Sequence, residues 1–296
     1  MEQRSGRDSN RPDYLAQALA KVAQAQQEFF AKSGDVEKAR ALVRLREAEH
    51  DLTVLKGADS ELEGDKKRAE AQVRLRKEQL RLAELEGDKK KTAEAQVRLR
   101  KEQLRLAELE DDKKKTAEAQ VRLSKDELKL AELEGNKKKT AEAQVQLSKD
   151  ELKLAELEGD DKKTAEAQVQ LSKDELKLAK FEGNKKKTAE AQVQLSKEEL
   201  KLAKFEGNDK KTAEAQVQLS KDELKLAKFE GDEELAHAKR NLTEANLNLS
   251  VATVSELLRN ATGEDAARLS RELEVASVMA QASSFQFCVK WPLKST

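Results

Sequence analysis

Two histidines, one cysteine and a recurring pair of adjacent acids are the residue types in this chain that carry chemistry most often. His50 and His237 are the only histidines and lie far apart in the sequence. A zinc site needs several convergent nitrogen, sulfur or carboxylate ligands, so each histidine reads as a solvent-facing helix residue. Cys288 is the single cysteine. It excludes an intrachain disulfide and, with no base close in sequence, reads as an incidental thiol. Adjacent acids such as Asp150 and Glu151 recur, but consecutive helix residues do not face each other and make no general acid/base pair. No glycine-rich phosphate loop or nucleophile elbow is present. Lysine triplets such as Lys137–Lys139 are of a type that binds phosphate or anionic lipid, yet Glu134 and neighbouring acids dilute them and favour a solvated face. The sequence therefore names no catalytic, cofactor-binding or metal-ligating residue, and the expectation is that the protein is not an enzyme.

The elements that carry these residues follow from composition. Charged residues make up 39% of the 296-residue chain, with 58 basic and 58 acidic side chains, while aromatics make up 3%. Typical globular domains are about 25% charged. Pro12 and Pro292 are the only prolines, so nothing between them is barred from a helix, and the dominant Ala, Leu, Glu, Lys, Gln and Arg are strong helix formers. Residues 64–230 carry only a small, dispersed basic excess, which argues against a specific nucleic-acid face. No apolar run is long enough for a membrane span, and residues 1–12 read as a disordered polar leader without a secretory core. The expectation is a soluble, cytoplasmic protein.

Glycines recur at Gly64, Gly87, Gly135, Gly159, Gly183, Gly207 and Gly231, with Asp111 in the remaining place. The first interval is 23 residues and the others 24, so seven tandem copies fill residues 64–230. The copies differ in blocks: RKEQLRLAELE, then SKDELKLAELE, then SKDELKLAKFE or its Glu variant. Such blocks are the signature of tandem duplication. Residues 13–63 hold a degenerate copy and are expected to form a helical hairpin, with Phe29 and Phe30 packed between its arms. Residues 231–253 hold another degenerate copy, 254–282 read as amphipathic helices, and 283–296 as a tail.

Within one copy, Ala141, Ala143, Val145 and Leu147 alternate with polar residues, a strand signal; the scarcity of β-branched and aromatic residues argues against β-hairpin repeats. As a helix, the copy shows two apolar stripes. One holds Ala141, Val145, Leu152 and Ala155; the other holds Ala143, Leu147, Leu154 and Leu157. An ordinary surface helix has one stripe, so two suit a helix with neighbours on both sides.

The glycine junctions give conflicting signals. Gly followed by Asp or Asn reads as a stop and a new N-cap. Glutamates before the junction and lysines after it oppose the dipoles of two separate helices, yet form favourable i,i+4 pairs if the helix is unbroken: Glu63–Lys67, Glu86–Lys90, Glu110–Lys114, Glu134–Lys138, Glu158–Lys162, Glu182–Lys186 and Glu206–Lys210. The favoured expectation is an all-α, elongated tandem-repeat rod or discontinuous coiled coil with a helix continuous through most junctions. A stack of separate 20–22-residue helices is the alternative.

Near the C-terminus, Thr253-Val-Ser-Glu256 reads as a capping box, Thr262–Asp265 as a second helix start, and Ala266, Leu269, Leu273, Ala276 and Ala280 as a stripe for oligomerisation or folding back. Phe285, Phe287, Val289 and Trp291 alternate, either as a strand-like docking peptide or as a loosely packed end. The functional expectation is a structural or scaffolding spacer that engages protein partners or itself through its termini. Reversible binding of anionic membrane or polyanion surfaces is the alternative; no small-molecule substrate or cofactor is expected.

Overall fold

Most copies of the repeat fold as one helix because the junction residue, usually glycine, adopts a left-handed conformation that ends the helix. The computed structural model describes residues 11–56 and 61–288. Among these residues the elements are α1 (Arg11–Ala31), α2 (Asp35–Lys56), α3 (Glu61–Glu86), α4 (Lys89–Leu109), α5 (Lys113–Glu134), α6 (Lys137–Glu158), α7 (Asp161–Glu182), α8 (Lys185–Phe205), α9 (Asp209–Ala227), α10 (Asp232–Asn260) and α11 (Glu264–Cys288), with no strand. The class is all-α tandem repeat, and the β-hairpin alternative is overturned.

The favoured reading of the junctions is corrected. Gly135 (φ 71°) and Gly183 (φ 72°) are left-handed C-caps, a conformation that costs a non-glycine residue about 1–2 kcal/mol. Asp111 occupies the same conformation at φ 54°. The next residue caps the following helix: Asn184 Oδ1 accepts from the backbone N–H of Lys186 at 3.0 Å and of Lys187 at 3.1 Å. Only Gly64 lies inside a helix, in α3, and there the expected Glu63–Lys67 pair forms at 2.7 Å. At broken junctions the glutamate reaches one lysine further, as in Glu134–Lys139 at 3.2 Å and Glu182–Lys187 at 3.2 Å.

Packing explains why the break wins. The chain forms two units, residues 1–158 and 159–296. Within each, helices pack in chain order, and a described helix touches only its sequence neighbours. Neighbours run antiparallel: Lys90 at the start of α4 meets Glu134 at the end of α5 (4.0 Å), and Arg100 of α4 meets Asp126 of α5 (2.9 Å). Both apolar stripes are therefore used, one per neighbour. In α8, Ala191, Leu195 and Leu202 pack on Val169 and Leu176 of α7, while Val193 and Leu200 join Leu219, Ala215 and Leu226 of α9. Each fully buried Val or Leu contributes about 1.5–3 kcal/mol, as an upper bound. The misplaced charges cost about 0.3–1 kcal/mol each, and an i,i+4 pair returns about 0.2–0.5 kcal/mol. Packing on both stripes outweighs both.

Several local expectations change as well. Phe30 is not enclosed by the hairpin: it is 82% exposed and meets Phe29 edge-on, with ring centroids 5.5 Å apart. Thr253 caps nothing, because α10 runs through it and its hydroxyl donates to the Leu249 carbonyl at 2.8 Å. Leu269 is buried and Leu273 half-buried while α11 packs on α10, so this stripe serves folding back. Phe285 and Phe287 lie within helical backbone; Val289 and Trp291 lie outside the described residues.

Candidate functional site

A line of polar side chains crosses the helix interfaces where an apolar core alone would suffice. In the copies reading SKDEL or SKEEL, the serine falls on the stripe facing the next helix. Ser196 of α8 and Asp222 of α9 are each only 1% exposed. The Ser196 hydroxyl donates to Asp222 Oδ2 at 2.8 Å. The same carboxylate accepts from Gln192 of α8 (3.3 Å), from Gln218 of α9 (2.8 Å) and, at Oδ1, from Lys225 (2.8 Å). Ser124 of α5 and Gln120 bond Asp150 of α6 in the same way.

The first block of copies solves the same problem with charge. Arginine replaces serine, so Arg100 Nε donates to Asp126 at 2.9 Å, joined by Gln96 at 3.1 Å. One copy earlier Arg76 stands 4.0 Å from Glu102. The pattern lapses at Ser220, whose buried hydroxyl has no hydrogen-bond partner, and also where the acid is longer. Glu198 accepts from Gln194 (2.7 Å) and Lys201 (3.0 Å), and the buried Ser172 hydroxyl opposite has no hydrogen-bond partner.

Burial raises the pKa of Asp126 and Asp222, but hydrogen bonds from Arg100, Gln96 and Lys129 to the first, and from Lys225, Gln218 and Ser196 to the second, outweigh it and hold both below the ordinary carboxylate range. A carboxylate saturated with donors is a fixed anion, not a proton acceptor. What it does is set register, because sliding one helix past its neighbour strands a buried charge.

The solvent-facing chemistry also repeats. Beside α4 a groove of about 530 Å³ is floored by Thr92, Ala93 and Gln96 and walled by Lys129 and Leu133. Its counterpart one copy on, about 560 Å³, uses Thr116, Ala117, Gln120, Lys153 and Leu157. Apolar residues stay exposed at helix ends: Leu133 (50%), Leu157 (42%), Phe181 (52%) and Phe205 (60%). The lysine clusters are partly neutralised, with Lys138 3.7 Å from Glu142 and Lys186 3.9 Å from Glu190.

The residues singled out for chemistry are not brought together. His50 is half-buried, not solvent-facing, with Nδ1 3.7 Å from Asp51. His237 is exposed and shares a 3.3 Å contact with Asn241. The Cys288 side chain lies outside the described ones. Asp150 and Glu151 diverge: the first enters the polar line, while the second meets Lys125 at 3.1 Å. Among the described residues no group of three or more His, Cys, Asp or Glu is placed to hold a metal ion, and no helix is long and apolar enough to cross a membrane. The buried polar line is the feature that sequence reasoning missed. Its signal was Ser148, which interrupts the stripe between Val145 and Leu152. No family model and no curated protein matches the chain.

Proposed function

We propose that this protein is a cytoplasmic structural scaffold, a helical spacer whose copy number sets reach and whose termini engage other protein chains, its own included. The observation that carries this reading is that packing is confined to sequence neighbours, so adding or removing copies changes extent without rebuilding a shared core. Among the described residues its buried polar groups serve register between neighbouring helices. Because consecutive helices alternate in direction, copies must be deleted in pairs to keep the flanks in their native sense. Removal of residues 88–135, two copies within the first unit, should shorten the distance between dyes on α2 and α6 while leaving helicity per residue unchanged. An unchanged distance would contradict a spacer.

A second reading has one observation behind it. Lys180 and Lys185 flank the half-exposed Phe181, where earlier copies have a Glu-Leu pair. Lysines around an exposed aromatic suit an anionic lipid surface. Sedimentation with phosphatidylserine vesicles, lost between low and moderate salt and weakened by Phe181→Ala, would support it; no sedimentation at low salt would remove it.

A further inference from the structure

The first helix has a second apolar face that no described element covers. Ala18 and Ala25 are buried against α2, with Leu15, Val22 and Phe29 half-buried beside them. The opposite side carries Ala16, Leu19, Ala20, Ala23, Gln27 and Phe30, all exposed, with Leu19 at 47% and Phe30 at 82%. No charged residue interrupts this stripe, in a chain that is 39% charged. Interior helices of the array bury a second apolar face on a neighbour, as α8 does.

We infer that this face pairs with the same face of a second copy of the chain, antiparallel about a twofold axis at Ala23. This rests on, and makes specific, the self-association in the scaffold reading. In that register Phe30 of one copy lies over Ala16 of the other, Leu19 over Gln27, and Ala23 over its own equivalent. The bulk of Phe30 meets the small Ala16, and alanines at the axis let the backbones approach. Asp13 in the first turn of α1 and Lys32 just past its end, both exposed, come to the same end of the pair with opposite charge. The contact continues the mode already used between α1 and α2, one helix laid on the next across a three-residue connection, with Arg44 meeting Glu28 at 3.3 Å. An isologous contact closes as a dimer. The outward face of α11 is less suited, because exposed Arg271 and Glu274 intervene among Val275, Val278 and Met279.

Sedimentation velocity of the full chain across a concentration series should show a monomer–dimer equilibrium that moderate salt leaves in place. Ala23→Glu puts two like charges at the axis and should weaken dimerisation by at least about tenfold, with unchanged helicity because Ala23 is exposed on a helix. In a Cys288→Ser background, Ala23→Cys should oxidise to a covalent dimer, and Gln17→Cys should do so far less. A dimer that survives Ala23→Glu but is lost on deleting residues 253–296 would overturn pairing through α1 and leave self-association standing. A monomer at every concentration would overturn both, while the pairwise-deletion measurement would still test the spacer.

Discussion

At the scale of single residues, the interface serines and acids behave as one device repeated with errors, and the errors make it testable. Ser172 lacks a partner because Glu198 replaces the aspartate that would receive it. Glu198→Asp should create the missing bridge and raise stability by about 0.5–1.5 kcal/mol, read from the urea midpoint at constant slope. Ser196→Ala should do the reverse, removing a donor from a buried carboxylate at about 1–3 kcal/mol. Asp126 and Asp222 also give stability a pH dependence of known sign. Their folded pKa values are lowered, so their contribution is complete above the ordinary aspartate range and is lost as pH falls through the lowered values. Urea midpoints near neutrality and below the ordinary aspartate range should converge between the native chain and Asp222→Asn as the medium becomes acid. Little of this was legible beforehand. Serine on an apolar stripe reads as a gap in the seam until the opposite helix shows that an aspartate faces it.

At the scale of the element, the helix, its two stripes and its punctuation were all present in the repeat, but the weights were not. Alternate stripes of Ala, Val and Leu implied neighbours on both sides, and α8 uses them in that way. Gly-Asn and Gly-Asp also carried a stop-and-cap signal. Charge pairing across the junction argued the other way because its energy is visible in sequence, whereas the burial gained by folding back depends on a partner the local sequence does not display. The caps can now be weighed directly. Gly183→Ala forces a side chain into φ 72° and should cost about 1–2 kcal/mol. Asp111→Gly relieves a non-glycine residue at φ 54° and should gain up to about 1 kcal/mol. Asn184→Ala removes an acceptor from two backbone donors and should cost about 1 kcal/mol. An unbroken helix gives opposite signs at the first two sites, since alanine is the better interior residue.

At the scale of the molecule, neighbour-only antiparallel packing within each unit is what makes repeat number a free variable, and the spacer reading depends on it. All-α repeat architecture was legible from composition and the 24-residue period, while the direction in which each copy runs was not, because one glycine conformation at each junction decides it. Pairs of residues 26 apart separate the two topologies most cleanly. Lys125 Nζ and Glu151 Oε1 stand 3.1 Å apart, on the exposed surfaces of α5 and α6. Spin labels at these two positions, in a Cys288→Ser background, report their separation by pulsed dipolar spectroscopy. Antiparallel neighbours should place the labelled backbones about 10 Å apart; a distance near 39 Å, roughly the length of 26 residues along one unbroken helix, would contradict the fold and the spacer with it.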